Sequence, residues 1–257
     1  MEFKNKHIII TGGANGIGRC SAETFLRESA TVAIIDTDKQ AGERLQSRYE
    51  NLRFFHGDIA EQTVLENFVN SLKKPVNCLI NNACIGSGGL LSDCSYEEFE
   101  SVQRIGVTAP YYLTYLLLKN NLLAQNAAII NIASTRANQS QPNTEAYSAA
   151  KGGVISLTHA MAISLAGKAR VISISPGWIE TAAYHENATA PHHSDQDCRQ
   201  HPAGRIGTPE DIAEMILYLC SDKANFITGE NITIDGGMSR LMVYHGDNGW
   251  KLENDLN

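Results

Sequence analysis

Short apolar runs rich in β-branched residues alternate along the chain with longer stretches whose apolar positions recur at helical spacing. The runs His7–Thr11, Thr31–Asp36, Leu52–His56, Cys78–Asn81, Ala127–Ala133, Arg170–Ser175 and Asn231–Ile234 are nearly continuous in apolar character, which predicts strands covered on both faces. Helices are predicted over Gly16–Glu28, Asp38–Tyr49, Gln62–Leu72, Tyr96–Asn120, Glu145–Leu165 and Pro209–Cys220. The last begins Thr208-Pro209-Glu210-Asp211, with a capping hydroxyl, a proline in the first turn and acids at the positive end of the helix dipole. Strand and helix alternating in this way build βαβ units. The expected fold is therefore α/β, a doubly wound parallel sheet of seven strands with helices on both faces, in one domain over 1–257. The irregular stretch at 182–204 is long enough to expect a substrate lid there. The tail Gly246–Asn257 is polar and expected to fray.

Composition narrows the class. An apolar share of 43% and a charged share of 19% describe an ordinary globular chain. The net charge of −7 is spread rather than blocked, which argues against nucleic-acid and anionic-membrane surfaces. The first apolar run, His7 to Ile10, is too short for a signal peptide or a membrane span. Six scattered cysteines with no CxxC pair suit a reducing compartment, so the expected location is cytoplasmic.

Chemistry enters where the first strand runs into Thr11-Gly12-Gly13-Ala14-Asn15-Gly16-Ile17-Gly18 and then a helix. A glycine-rich turn of this Rossmann type lets backbone approach a pyrophosphate, and the helix N-terminus favours its negative charge. Gly12 is expected to make the turn, Gly16 to face the phosphates, and Gly18 to let helix and strand pack. Asp36 ends the second strand, where an acid accepts hydrogen bonds from ribose hydroxyls and repels a 2′-phosphate. Neither Asn15 nor Thr37 supplies a compensating positive charge, so the cofactor expected is NAD rather than NADP. Further on, Tyr147 and Lys151 lie one helical turn apart on one face. An ammonium beside a phenol favours the phenolate, which makes tyrosine a usable acid–base group.

These pieces, in this order, resemble the short-chain dehydrogenase/reductase family from Lys6 to about Met238. They are TGGANGIG (11–18), Asp58, NNA (81–83), NIAS (131–134), YSAAK (147–151), SPGWIET (175–181) and GRIGTPEDIA…TGENITIDGG (204–237). The resemblance implies Tyr147 as general acid/base, Lys151 on the nicotinamide ribose, and Ser134, thirteen residues before the tyrosine, as hydrogen-bond donor to the substrate oxygen. It implies cofactor contacts for Gly12, Asn15, Gly16, Ile17 and Gly18, for Asp36, and for Asp58 and Ile59 at the adenine. Asn81 and Ala83 would meet the adenosine ribose region, and Pro176, Gly177, Ile179 and Thr181 the nicotinamide. It also implies a homo-oligomer, tetramer or dimer.

Two positions depart from the family. Cys84 stands where a glycine usually follows NNA, and Gly106 stands where a catalytic asparagine fixes a water of the proton relay. Restoring Gly106→Asn is expected to raise turnover, and to stabilise the helix if the larger side chain is accepted. The histidines and acids of 185–201 show no rigid metal-ligand spacing, so no metal is expected. The function expected is NAD-dependent interconversion of a secondary alcohol and a ketone on a small molecule: a sugar, polyol, hydroxy acid or cyclic alcohol. Two alternatives stand beside it, a 3-oxoacyl thioester reductase and a non-catalytic NAD-binding regulatory protein.

Overall fold

Seven strands form one parallel sheet in the order β3-β2-β1-β4-β5-β6-β7. They are β1 (His7–Thr11), β2 (Thr31–Asp36), β3 (Leu52–His56), β4 (Val76–Asn81), β5 (Leu123–Ile132), β6 (Ala169–Pro176) and β7 (Asn231–Ile234). The computed structural model describes residues 3–186, 188–189, 191–242, 244 and 246–247. Most of the tail expected to fray, Asn248–Asn257, lies outside them. The helices are α1 (Gly16–Arg27), α2 (Lys39–Arg48), α3 (Gln62–Ser71), α4 (Tyr96–Gln103), α5 (Ala109–Lys119), α6 (Glu145–Ser164), α7 (Asp195–Arg199) and α8 (Pro209–Cys220). No helix among the described residues is long and apolar enough to cross a membrane.

The strands bury both faces, as their apolar runs require. Ile8, Ile10, Ile34, Ile80, Ile130 and Ile172 pack toward α1 and α8, with Phe25, Ile212 and Ile216. Ile9, Ile35, Leu79, Ile129 and Val171 pack on the other face, with Phe68, Leu113, Leu117 and Met161. The connection reverses direction between β1 and β4, which pair from Ile8↔Cys78 to Thr11↔Asn81. That opens a crevice at their carboxyl ends, where ligands bind in folds of this kind.

Two expectations need correction. The helix expected over Tyr96–Asn120 is interrupted by a π-helical turn at Arg104–Thr108, where the Ala109 amide bonds back to Arg104 O. β5 starts at Leu123 rather than Ala127, because Val76 pairs with Leu123 before a bulge resets the register at Cys78↔Ala128. The exposed Gln125-Asn126 pair hides that start in the hydropathy pattern.

Candidate active site

The first cleft is built on the glycine turn. Gly12 takes φ +64° and Gly16 φ +55°, a left-handed backbone that only glycine adopts freely. A Cβ on Gly12 would lie 2.8 Å from Ala83 Cα, and one on Gly18 2.0 Å from Gly12 O. The turn is stitched to the loop after β4: the Thr11 hydroxyl accepts from Asn82 N at 3.0 Å and Ala83 N at 3.1 Å. Asn82 Nδ2 returns bonds to Thr11 O and Gly12 O at 3.1 and 2.9 Å. Gly12, Asn15, Gly16 and Ile17 then line a cleft of about 330 Å³, closed by Asp36, Asp58, Ile59, Ala83 and Thr181.

Asp36 is fixed there by two backbone donors, Ala14 N on Oδ2 and Asp38 N on Oδ1, each at 2.9 Å. Each oxygen retains a lone pair. Asp38, not Asp36, caps α2, accepting from Ala41 N at 3.0 Å; that bond and the Asn15 amide hold its carboxyl below the usual range. No lysine or arginine lines this cleft among the described residues. A cradle that a Cβ would fill, a helix N-terminus and a carboxylate at its far end fit an adenine dinucleotide.

The second cavity, about 970 Å³, is lined by two of the side chains that the sequence singles out, Ser134 and Tyr147. β5 ends at Ile132, and Ser134 follows in extended conformation, 9% exposed, its Oγ accepting from Arg136 N at 3.2 Å. Tyr147 on α6 lines the same cavity, as does Thr135. Lys151 lies beneath, 4% exposed, its Nζ 5.3 Å from the Tyr147 ring centroid. It donates to Ile132 O at 2.7 Å, which ties α6 to the end of β5 beside Ser134. Trp178, Gln200 and Met238 also line it.

The segment 176–181 separates the two spaces. Pro176 ends β6, paired with Ile234. Gly177 is where a Cβ would meet Asp235 Cβ at 2.5 Å, so close packing alone demands glycine. Gly177 and Ile179 face the larger cavity and Thr181 the smaller. The Thr181 hydroxyl caps nothing; it lies 3.3 Å from His185 Nε2.

The expected lid is held firmly at its start. Tyr184 donates to Glu210 at 2.7 Å, and burial, then its bonds to Cys20 and Glu210, raise its phenol well above the ordinary value. Glu186 lies within 3.6 Å of Arg19 on α1, and within 3.5 Å of Arg44 and Arg48 on α2. Farther along, α7 is capped by Ser194 and Asp197. His193 stacks edge-on to Trp178, and His201 is 2% exposed with Nε2 unpartnered. No group of three His, Cys, Asp or Glu side chains among the described residues could hold a metal ion.

Five of the positions singled out from the sequence line neither cleft: Lys151, beneath the Tyr147 ring, Pro176, at the end of β6, and Gly18, Asn81 and Gly106. Gly18 acts through packing. Asn81 directs its amide across the sheet, Nδ2 donating to Asn131 Oδ1 at 2.8 Å, while its buried Oδ1 has no hydrogen-bond partner among the described residues. Gly106 sits in the π turn, and a Cβ built there would lie 2.8 Å from Ala150 Cβ, next to Lys151. The room that Gly106→Asn needs is absent. Cys84 lines the first cleft, its thiol turned to Ile85 O at 3.4 Å. Cleft residues that the sequence does not single out as contacts are Asn82, Trp178 and Gln200, and His185, which it weighs only as a metal ligand. Asn82 adjoins a chosen position; the others take meaning only from the fold.

A family model described as enoyl-(acyl carrier protein) reductase matches residues 12–239. An uncharacterized oxidoreductase of Thermotoga maritima is 40% identical, covering 94% of this chain and 99% of that protein. The 2-(S)-hydroxypropyl-CoM dehydrogenase 3 of Xanthobacter autotrophicus is 32% identical, covering 93% and 99%. Among solved structures, an apo SCOR enzyme from Clostridium thermocellum superposes with TM-score 0.86 at 43% identity, covering 98% of this chain and all of the other. With the glycine turn, the Tyr147–Lys151 pair and these relatives in agreement, the chain belongs to the short-chain dehydrogenase/reductase family of nicotinamide-dependent oxidoreductases.

Proposed function

We propose that this protein uses NAD(H) to interconvert a secondary alcohol and a ketone on a small molecule. The observation that carries the reading is the convergence of Ser134 and Tyr147 on one cavity, with Lys151 beneath the ring, beside a cleft that ends on Asp36. Bound NAD supplies the hydride acceptor for alcohol oxidation. The protein supplies position and protons. Tyr147 takes the hydroxyl proton of the substrate, and Ser134 donates a hydrogen bond where charge develops on the substrate oxygen. Lys151, held by Ile132 O, has two further N–H bonds to give, one to the nicotinamide ribose. The glycine turn with Asn15 and Ile17 receives the pyrophosphate, Asp58 and Ile59 the adenine, and the Asn81–Ala83 loop the adenosine ribose. Pro176, Gly177, Ile179 and Thr181 form the nicotinamide wall.

Two broader assignments accompany this reading. Residues 182–204 serve as the substrate lid of a chain that works in the cytoplasm, where six free thiols persist reduced. Tyr96, Phe99, Tyr111 and Tyr115 expose aromatic surface on α4 and α5, which supports pairing with further copies as a dimer or tetramer.

Cofactor choice is tested by titrating NADH and NADPH into the protein and into Asp36→Ala. NADH is expected to bind at least tenfold tighter in the wild type, with the gap narrowed in the variant, since carboxylate and phosphate repel by about 1–4 kcal/mol near a protein surface. Equal binding of the two cofactors by the wild type would refute the NAD assignment.

A further inference from the structure

The larger cavity is electrically one-sided. Of the described residues that line it, Arg136 alone is charged, and no carboxylate is among them. Gln139, Ser140 and Gln141, close to Arg136 along the chain, add neutral hydrogen-bonding groups to the lining, and Trp178, Ile179 and Met238 add largely apolar surface. Arg136 follows Ser134 by two residues and donates its backbone N–H to the Ser134 hydroxyl, so its position is fixed to the reacting end of the site. Its guanidinium is steadied by Gln141 Oε1. Ion pairs tie up Arg19, Arg44, Arg48, Arg104 and Arg205 elsewhere in the fold, yet no described acid pairs with Arg136.

Arg136 is a half-buried residue whose guanidinium is held by a neutral amide, with no described carboxylate paired with it. Such a group is a planar fork matched to carboxylate, sulfonate or phosphate oxygens, and charge-assisted bonds of this kind are about twice as strong as neutral ones. We propose that Arg136 sets substrate class: it binds the anionic end of a short hydroxyalkyl carboxylate, sulfonate or phosphate whose carbinol lies at Ser134 and Tyr147. The apolar wall carries the carbon chain between the two ends. The redox step is unchanged, the carbinol C–H leaving as hydride to NAD and the O–H proton passing to Tyr147. The inference rests on the function proposed above and names the substrate within it.

The test follows NADH absorbance with matched pairs of alcohols: 3-hydroxybutyrate and its methyl ester, 2-hydroxypropane-1-sulfonate and 2-butanol, glycerol 3-phosphate and glycerol. Wild-type kcat/KM is expected to favour at least one anion over its neutral partner by tenfold or more, and the preferred anion separates carboxylate from tetrahedral oxyanion recognition. Arg136→Gln should cut that ratio at least tenfold, chiefly through KM, with Arg136→Lys in between, and an NADH titration of each variant checks that the fold is kept. Neutral partners used as well as the anions, or a ratio unchanged in Arg136→Gln, would overturn the inference while leaving the dehydrogenase reading intact. Failure to oxidise any alcohol, charged or neutral, would overturn that reading and this one with it.

Discussion

Adding one carbon at Gly106 sets two effects of known size against each other at a site next to Ala150 and Lys151. In an ordinary helix, Gly→Ala stabilises by about 1 kcal/mol, because alanine has less backbone freedom to lose. Here the new Cβ would stand 2.8 Å from Ala150 Cβ, well inside the roughly 3.5–4.0 Å at which carbon atoms rest. Overpacking of a filled core costs about 1–3 kcal/mol. The clash therefore cancels or exceeds the helix gain, and Gly106→Ala should lower stability by about 0–2 kcal/mol. For a chain of this size about 2–4 °C of melting temperature accompanies each kcal/mol. Relief at Ala150 should reverse the sign, since Ala150 Cα would be 3.9 Å from the added carbon, an ordinary contact. The assay is a double-mutant cycle over Gly106→Ala and Ala150→Gly, read by thermal melting and by turnover. A coupling of about 0.5–3 kcal/mol is expected, with turnover falling in Gly106→Ala as α6 shifts at Lys151. A Gly106→Ala protein that melts higher than wild type by the same amount in both backgrounds would show that the two helices do not press on each other.

Glu186, clamped by Arg19, Arg44 and Arg48, closes the chain over the cleft just past Thr181 and His185. Partly exposed pairs are worth about 0.2–1 kcal/mol each, so Glu186→Gln should speed NADH release about three- to tenfold in stopped-flow fluorescence and remove its salt dependence; an unchanged release rate would exclude the clamp. Acid should destabilise the fold through its hydrogen-bonded carboxylates. In Asp211 the bonds from Arg205, and in Asp235 the bonds from Ser239 and Gly237, hold the folded-state pKa below the ordinary value, more than offsetting burial, which is the largest single influence on Asp235. Their contribution is complete above the unfolded carboxylate value of about 3.9 and is lost as pH falls through the lower folded value. The urea midpoint should thus drop as pH falls below about 4, and less steeply in Asp211→Asn; a midpoint flat down to pH 3 would contradict this.

What the sequence shows directly is local chemistry. The glycine turn, Asp36 and the Tyr147–Lys151 pair each lie within a few residues of a strand end or on one helix face, so local spacing suggests them and the family resemblance makes them specific. Ser134 comes from that resemblance, which implies a hydroxyl thirteen residues before Tyr147. The parallel, doubly covered sheet follows from the uninterrupted apolar runs, because strands buried on both faces read that way. The π turn at Arg104–Thr108 is invisible, since the apolar spacing runs through it unbroken. The family motif points Asn81 at the cofactor, yet its amide serves the sheet and the adjacent Asn82 lines the cleft. Successive residues of a strand point to opposite faces, and pattern does not say which face a loop will follow. Arg136 and Glu186 are ordinary surface charges in sequence; only the fold reveals that one is paired with no acid among the described residues and that the other meets three arginines.

Tyr147→Phe tests the central claim most directly, with hydride transfer followed by NADH absorbance and NADH binding measured on the same protein. Positioned acid–base groups contribute about 10²–10⁴-fold, so kcat should fall by at least a hundredfold while the NADH dissociation constant stays within about threefold, roughly 0.6 kcal/mol. A phenylalanine variant that turns over any true substrate at the wild-type rate would contradict the account.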